Sequence, residues 1–569
     1  MKNKYVNLKT SFADDFNKEA PLQEYPRPNL RRASYLNLNG EWDYAINKTG
    51  EFPKVYDGKI VVPYPIESEL SGVKRNLKSN EYLFYKLDVF IDKNFRKDID
   101  ILHIDGVDQC AEVYLNGVLV GLSNNGYIPY SYDVSKFMVD GKNQIVVKVK
   151  DSLNKKYCYG KQKKKRGGMW YTPCSGIWKS VWLESVAKTY IKSIDIKVLK
   201  ELDGISLHID TLAKNKLITV QIQDKIIYSI NTQENDLIIK LDHPHLWSPE
   251  DPFLYDLHIE TKEDDVTSYF ALRKVEIKNN KIYLNNKRYF CNGVLDQGYF
   301  PDGIYTPASY KAYAFDILSM KNLGFNTLRK HIKVEPLYFY YMCDFYGMLV
   351  FQDMVNNAPY SFLIDTALPT VIKNIHIGDK VRHKKYNDIF KESMIKTVEL
   401  LKPFPSIVLW TIYNEGWGQH NSSKMHEVLL SLDDTRLIDD TSGWFEQKSN
   451  MFKSLHIYFK KIKINENIDK PIYISEFGGY SYKVDDHIFN PKHAYGYKFF
   501  KTREEFEEGF INLYKNEIIP IKDKLSAIIY TQVSDVEDEI NGLLTYDRKV
   551  LKVDTKKVSE VMKELQGGK

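Results

Sequence analysis

After Lys287 the sequence changes its hydrophobic period, and this change restricts the possible fold more than any other feature. From there, short apolar runs alternate with longer amphipathic segments. The apolar runs are continuous, as expected for strands of a parallel sheet that is covered on both faces. The pattern predicts a (β/α)8 barrel. The eight strand candidates are 289–294, 325–331, 348–353, 406–415, 436–443, 454–459, 471–479 and 527–535, and helices are expected near 308–323, 336–346 and 383–401.

The part of the chain before this change is rich in short β-type runs. From about residue 34 to 188 these runs end at Gly, Asn, Asp or Lys-rich turns, which predicts a β-sandwich. The Asn116-Gly117 pair between two apolar runs predicts a hairpin. Residues 189 to about 275 alternate again and predict a second sandwich of immunoglobulin size. We therefore expect three domains, at 1–188, 189–278 and 279–569.

Composition excludes several classes of protein. The chain has 80 Lys and Arg against 75 Asp and Glu, and this balance disfavours a nucleic-acid or membrane-surface protein. Five widely spaced cysteines without a CxxC pair predict neither a disulfide framework nor a zinc site. We find no signal peptide and no apolar run of about 18 residues, so we expect a cytoplasmic protein.

Two polar stretches are predicted to form loops. The basic run KQKKKR, residues 161–166, is interpreted as a solvated loop, because the net charge of the chain is balanced. An alternative is that it reaches over the barrel mouth from the first domain. The stretch near 361–382 interrupts the barrel pattern and is expected to form a loop over the site.

Two of the predicted barrel strands end in a carboxylate followed by a glycine-bearing turn. These are Glu415, in LWTIYNEGWG, and Glu476, in PIYISEFGGY, on the fourth and seventh strands. Chemistry in such a barrel takes place where the strands end, so the two carboxylates are expected to face a shared cleft. A facing pair suits glycoside hydrolysis, in which one carboxylic acid protonates the leaving oxygen while the other carboxylate attacks the anomeric carbon. Their pKa values must then differ.

Three longer segments carry a specific resemblance. Residues 26–46, 167–184 and 325–354 resemble the start and end of the sugar-binding domain and the barrel signature of glycoside hydrolase family 2, the family of β-galactosidases, β-glucuronidases and β-mannosidases. The resemblance covers nearly the full chain. It implies an N-terminal jelly roll, an immunoglobulin-like β-sandwich and a C-terminal TIM barrel. It also implies that Glu415 is the acid/base, that Glu476 is the nucleophile and that Asn414 binds the sugar's 2-hydroxyl.

The resemblance suggests roles for five further residues, each with a structural alternative. His331 and His456 lie at strand ends, where they bind substrate or only form structural hydrogen bonds. Tyr458 is expected to hydrogen-bond the nucleophile or to pack. Asp296 contacts the glycone or caps a loop. Arg329 braces the nucleophile region or forms a structural salt bridge. Neither a metal nor a cofactor is required by this mechanism.

The glycone is harder to predict. Glucuronidases of the family carry an Asn-x-Lys pair after strand eight, whereas Glu539 and Asn541 stand there in this chain and disfavour a uronate. Lys330 and the segment 351–354 depart from the galactosidase pattern, while Asn-Glu-Gly-Trp-Gly departs from the mannosidase pattern. We expect a retaining, exo-acting β-galactosidase-like hydrolase that acts on a glycoside or oligosaccharide. Three alternatives stay open. They are a hydrolase of the same family that acts on a β-mannoside, an arabinoside or, less favoured, a β-glucuronide; a transglycosylase; and a non-catalytic carbohydrate-binding protein. A homo-oligomer is possible.

Overall fold

The N-terminal part of the chain forms a two-sheet β-sandwich. The computed structural model describes residues 5–371, 383–464 and 468–567. Asn116 and Gly117 have φ values of 51° and 82°, which close the predicted hairpin between Cys110–Leu115 and Val118–Ser123. The four-stranded sheet contains Tyr35–Asn37, Val181–Val186, Ile99–Ile104 and Tyr130–Asp133 in that order, and the six-stranded sheet contains Gly58–Val62, Gly40–Asn47, Tyr82–Ile91, Gly141–Lys150, Cys110–Leu115 and Val118–Ser123.

A second, smaller sandwich follows, with its own apolar core between a three-stranded and a four-stranded sheet. Side chains alternate between buried and exposed along its strands, as in Tyr255–Glu260, because one face of each sheet meets solvent. The sheets contain Ser193–Val198, Gly204–Asp210 and Asp236–Lys240, and Lys225–Thr232, Lys216–Ile222, Tyr255–Glu260 and Asp265–Phe270. The boundaries at 188/189 and 278/279 stay a prediction.

The C-terminal part is an eight-stranded parallel barrel, which confirms the predicted fold class. Strands one to five pair in sequence order, strands six to eight do the same, and the first pairs with the eighth, so the sheet is open between the fifth and the sixth strands. Ile407–Asn414 and Ile472–Gly478 are buried at every position, as the continuous apolar runs predicted. In chain order the strands are Cys291–Asp296, Thr327–Lys330, Leu349–Asp353, Ile407–Asn414, Leu437–Ser442, Lys453–Ile457, Ile472–Gly478 and Leu525–Thr531.

Helices cover the outside of this barrel, and the three that the sequence predicted are present. The longer helices are Lys311–Asn322, Leu337–Tyr346, Asn387–Leu401, Ser422–Leu432, Arg503–Leu513 and Thr555–Gln566. Within the described ranges, none of the helices is long and apolar enough to cross a membrane.

The first sandwich rests directly on the barrel. The hydroxyl groups of Tyr127 and Tyr305 are 3.0 Å apart across this contact. Farther along, the Tyr159 hydroxyl donates to the Ala358 carbonyl at 2.8 Å. The sandwich therefore contributes side chains to the edge of the barrel.

The interpretation of residues 161–166 as a solvated loop holds only in part, because Lys163 and Lys165 are exposed but other residues of the segment are not. Gln162 is fully buried, and its Nε2 donates to the Asp108 carboxylate at 2.6 Å. Arg166 forms ion pairs with Glu537 and Asp538, beyond the eighth barrel strand, at 3.1 and 2.9 Å. Buried acidic partners hold this basic segment, and it reaches the barrel mouth from the sandwich.

The polar stretch 361–382 is described only in part. It begins with a π-helical turn at Phe362–Ala367 and a short helix at Leu368–Val371. The Asp365 carbonyl accepts a hydrogen bond from Trp444 Nε1 at 2.8 Å, which connects this turn to the segment after the fifth strand. Residues 372–382 lie outside the described residues, so the predicted loop over the site stays a prediction there.

Candidate active site

The fourth barrel strand ends in a sharp turn that begins at Glu415. Glu415 has a φ of 52°, and its backbone N–H donates to the Ser442 carbonyl at 3.1 Å. Gly416 and Gly418 follow with φ values of 68° and 75°. A Cβ at Gly416 would lie 2.3 Å from Cδ2 of Phe445, so only glycine fits this position without a shift. The turn places the Glu415 side chain, 13% exposed, at the carboxyl end of the barrel.

The structure brings Glu415 and Glu476 together around His456. One carboxylate oxygen of each glutamate and a ring nitrogen of the histidine all lie within 4.8 Å of one another. His456 Nδ1 is 2.9 Å from Glu415 Oε1, and its Nε2 is 3.6 Å from Glu476 Oε1. The His456 side chain is fully buried between the two carboxylates; its Nδ1 is hydrogen-bonded to Glu415, whereas its Nε2 has no hydrogen-bond partner among the described residues.

Arg329 is the positive partner of Glu476. Its Nη1 donates to Glu476 Oε1 at 3.1 Å, and its Nε and Nη2 donate to the two oxygens of Asp353 at 2.9 and 3.0 Å. Burial raises the pKa of Glu476, but the electrostatic interactions with His456 and Arg329 outweigh burial and hold that pKa well below its ordinary value. Glu476 is therefore held ionised.

Asn414 is fixed through its carbonyl oxygen. Asn414 Oδ1 accepts from Arg329 Nη2 at 2.9 Å and from the Ser442 hydroxyl at 2.9 Å. Since the oxygen is occupied, the amide N–H groups are the part of this side chain that remains for a ligand.

Tyr458 donates a hydrogen bond from its hydroxyl to Glu476 Oε2. The same hydroxyl lies 3.1 Å from the Thr531 hydroxyl. Burial and the negative charge of Glu476 raise the pKa of Tyr458 well above its ordinary value, so this tyrosine keeps its proton. Its ring stacks on Tyr497 with a centroid separation of 3.8 Å and an interplanar angle of 5°. Tyr458 thus adds a neutral donor to the Glu476 carboxylate.

His331 and Asp296 lie in different surroundings. His331 Nδ1 is 2.8 Å from Asp353 Oδ2, and burial lowers the pKa of this histidine although Asp353 opposes the shift. Asp296 has both oxygens engaged, with Lys330 Nζ at 2.6 Å and with the Gly298 N–H at 2.9 Å. The structure therefore places Asp296 in a buried ion cluster, rather than against the carboxylate pair.

Comparison with known proteins identifies the family. The family models described as "Glycosyl hydrolases family 2, sugar binding domain", "Glycosyl hydrolases family 2" and "Glycosyl hydrolases family 2, TIM barrel domain" match residues 12–186, 184–273 and 275–566. The chain belongs to glycosyl hydrolase family 2. This confirms the resemblance seen in the sequence.

Curated relatives of this family 2 chain include two bacterial β-galactosidases. That of Thermoanaerobacter pseudethanolicus is 25% identical over 434 residues, which covers 70% of this chain and 54% of the relative. That of Staphylococcus xylosus is 25% identical over 518 residues, covering 81% and 48%. The chain thus spans about half the length of these relatives.

Solved structures with the same family 2 fold include two bacterial β-glucuronidases. The β-D-glucuronidase of Dictyoglomus thermophilum has a TM-score of 0.75 at 17% identity, covering 95% of this chain and 98% of the other. The β-glucuronidase of Ruminococcus gnavus has a TM-score of 0.77 at 13% identity, covering 98% and 100%. At these identities the likeness shows the fold alone.

Several residues of this family 2 site had no role in the sequence analysis. Asp353 and Ser442 end the third and fifth strands. Asp353 could have been found in the sequence, because it is a carboxylate at the end of a barrel strand, as Glu415 is. Tyr497 and Tyr171 lie outside the barrel strands. The Tyr171 hydroxyl donates to the Glu539 carboxylate, although residue 171 belongs to the first sandwich. Tyr497 and Tyr171 reach the site through tertiary contacts, so no local sequence pattern indicates them.

An aromatic wall borders the Glu415 side of the mouth. We use this name for Trp170, Tyr360 and Trp417, whose ring centroids lie 5.0, 5.3 and 5.8 Å apart in edge-on pairs. The first comes from the sandwich, and the other two follow the third and fourth barrel strands. The negative charge of Glu415 adds to burial in raising the pKa of Tyr360, so the wall lies close to that carboxylate.

Glu415, His456 and Glu476 are also of the residue types that ligate a metal ion, and their donor atoms are close enough to share one. Arg329 already donates to Glu476 Oε1 at 3.1 Å. Its positive charge opposes a cation at the same oxygen.

The depressed pKa of Glu476 predicts a pH-dependent contribution to stability. In the unfolded chain this carboxyl titrates near about 4.3, and its folded pKa lies below that value. Its ionised form therefore stabilises the fold above about pH 4.3, and this contribution is lost as pH falls through the folded pKa. We expect urea denaturation to show that wild type loses stability relative to Glu476→Gln between about pH 7 and 3.5.

The comparison uses the pH dependence of the difference, because replacing Glu476 also changes contacts that do not titrate. A difference that stays constant with pH, or that shifts toward wild type as pH falls, would contradict the charge arrangement at Arg329 and His456.

Proposed function

We propose that this chain is a retaining, exo-acting β-glycoside hydrolase with Glu476 as nucleophile and Glu415 as acid/base. The observation that carries the proposal is the close approach of the two carboxylates, which bring one oxygen each within 4.8 Å. Retaining enzymes hold their carboxyl groups about 5 to 5.5 Å apart, whereas inverting enzymes need roughly 6.5 to 9.5 Å to admit a water. The spacing therefore supports a double displacement.

The nucleophile is prepared by its hydrogen bonds. Arg329 and Tyr458 each donate to a different oxygen of Glu476, so the carboxylate is ionised and oriented before substrate arrives. In the first step Glu476 bonds to the anomeric carbon while the bond from that carbon to the leaving oxygen breaks. Glu415 transfers its proton to that oxygen, so the leaving group departs as a neutral alcohol.

The second step reverses the roles. Glu415, now a carboxylate, removes a proton from water as the water oxygen bonds to the anomeric carbon and Glu476 leaves. Two inversions give net retention. His456, at 2.9 Å from Glu415 Oε1, supports both protonation states by orienting this carboxyl group. The free amide N–H groups of Asn414 are proposed to bind the 2-hydroxyl, and His331 is proposed to contact the sugar.

We propose a neutral, galactose-like glycone. The names of the curated relatives support it. The buried Glu539 supports it as well: this carboxylate accepts from Tyr171 and from Asn541 Nδ2, the latter at 3.0 Å, where a glucuronidase would present an amide and an ammonium. A second acidic group beside it would be repelled. Mannosides and arabinosides are the neutral alternatives.

Removal of the acid/base residue slows the first step only for substrates whose leaving group must be protonated. We expect Glu415→Ala to slow turnover of an alkyl glycoside by about 10²- to 10⁴-fold. A 2,4-dinitrophenyl glycoside needs no protonation, so its first step is expected to persist and added azide to restore turnover, giving a β-glycosyl azide. The rates and the product are measured by release of dinitrophenolate and by NMR.

Two further variants complete this test. Glu476→Gln should lose turnover of both substrates without rescue by azide, since no glycosyl-enzyme forms. Glu427→Ala, an exposed glutamate on the helix Ser422–Leu432, should match wild type. Unchanged activity in Glu415→Ala or Glu476→Gln would sink the assigned roles, and a fully inactive wild type would favour a carbohydrate-binding protein.

The glycone is tested with a panel of 4-nitrophenyl β-glycosides. We expect kcat/KM for the β-galactoside to exceed that for the β-glucuronide by at least about 100-fold, because like charges at a buried contact cost several kcal/mol. Glu539→Gln keeps the side-chain shape and should narrow this ratio. Efficient turnover of the β-glucuronide by wild type would refute the proposed role of Glu539.

A further inference from the structure

A cluster of lysines lies beside the aromatic wall. We use the name lysine cluster for Lys155, Lys161 and Lys163 of the first sandwich. Lys161 and Lys163 belong to the segment 161–166 that reaches the barrel mouth, and Lys155 lies just before it in the chain. The Lys155 ammonium lies 3.4 Å from the ring centroid of Tyr159. The ammonium groups of Lys161 and Lys163 lie 5.7 and 5.6 Å from the ring centroid of Trp170. All three cations thus contact aromatic rings.

Within the part of the chain that the structure describes, no carboxylate lies within 4.0 Å of these three ammonium groups. Their neighbours in sequence behave differently, since Lys164 pairs with Asp151 at 3.2 Å and Arg166 pairs with Glu537 at 3.1 Å. Burial, together with repulsion from Lys163, lowers the pKa of Lys155 to about 8. Asp151 opposes this shift from more than 4.0 Å away, so the like charges lie near one another without a direct ion pair.

The lysine cluster is joined to the Glu415 side of the mouth. The Ala358 backbone N–H donates to the Lys155 carbonyl at 2.8 Å, and the Ala358 carbonyl accepts from Trp417 Nε1 at 3.1 Å. Tyr159 meets Trp417 edge-on at 5.3 Å. Trp417 lies two residues after Glu415. The cluster and the aromatic wall therefore stand next to the carboxyl group that is proposed to protonate the leaving oxygen.

Lys161 lies at the inner edge of the cluster. Burial raises the pKa of Glu539 and lowers the pKa of His331, and the charge of Lys161 opposes the first shift and adds to the second. Glu539 already accepts from Tyr171 and Asn541, so it is committed to these donors. Lys161 thus extends the positive field of the cluster toward the carboxylate pair.

We propose that the lysine cluster and the aromatic wall form a leaving-group subsite for a sugar that carries an anionic substituent. The partly exposed rings of Trp170 and Tyr360, against which the buried Trp417 packs, supply faces on which a sugar ring stacks, and the three ammonium groups supply charge for a sulfate, a phosphate or a carboxylate. Only the assignment of this subsite to the leaving group rests on the proposed function. The binding of an anionic sugar follows from the cluster itself.

The test measures binding, so it does not require turnover. Isothermal titration of the wild-type protein compares galactose 6-sulfate, galactose 6-phosphate and galacturonate with neutral galactose. We expect at least one anionic sugar to bind about ten-fold more tightly than galactose at low salt, and the difference to shrink at about 0.5 M NaCl. The three anionic probes distinguish the sulfate, phosphate and carboxylate forms of the ligand.

Three sets of variants test whether the lysine cluster causes the preference for anionic sugars. Lys155→Gln, Lys161→Gln and Lys163→Gln together should abolish the preference, and the corresponding triple change to arginine should keep it, which separates charge from folding. The same number of exposed lysines in the first sandwich, Lys48, Lys93 and Lys136, changed to glutamine, serves as the control for net charge.

Three results would overturn the proposal. They are equal affinity for galactose and every anionic sugar, a preference that survives the triple change to glutamine, and tighter binding of a single-stranded oligonucleotide, which would indicate a nucleic-acid surface instead. Loss of glycoside hydrolysis in the separate activity assays leaves this binding test intact. The two proposals therefore fail independently.

Discussion

The buried guanidinium of Arg329 is the interaction on which the site depends. From the second barrel strand it donates to Asp353 on the third, to Asn414 on the fourth and to Ser442 on the fifth, and to the Ser475 carbonyl and Glu476 on the seventh. Its planar set of donors suits such a hub, whereas a lysine would offer a single point charge. Because the side chain is fully buried, these oxygen acceptors replace the water that a buried cation loses.

This hub gives the two glutamates different surroundings. Glu476 receives a cation on one oxygen and the Tyr458 hydroxyl on the other, and its pKa is depressed. Glu415 lies in the turn after the fourth strand, more exposed, with His456 as its neighbour. One barrel thus presents a carboxylate that is held ionised close to a second carboxyl group, the one proposed to exchange protons.

Much of the barrel was predictable from the sequence. All eight strands were found from short runs between longer amphipathic segments, although Thr327–Lys330 and Leu437–Ser442 are mostly polar. Glu415 and Glu476 stood out because carboxylates at strand ends mark the reactive end of a barrel. The contacts from the first sandwich were not predictable. The balanced net charge of the chain predicts a solvated loop at residues 161–166, whereas the acidic partners of Arg166 are more than 370 residues away in sequence and leave no local signal. Tyr497 supports Tyr458 by stacking, and such a contact leaves no periodic signal.

Trapping the glycosyl-enzyme tests the division of roles between the two glutamates most directly. A 2,4-dinitrophenyl 2-deoxy-2-fluoro-β-glycoside of the preferred glycone forms the first covalent bond but reacts slowly with water, because fluorine destabilises the oxocarbenium-like transition state. Peptide mass spectrometry of the labelled protein is predicted to find one sugar on the peptide that contains Glu476 and none on the peptide that contains Glu415. A sugar on Glu415, or release of dinitrophenolate without a covalent adduct, would contradict the account.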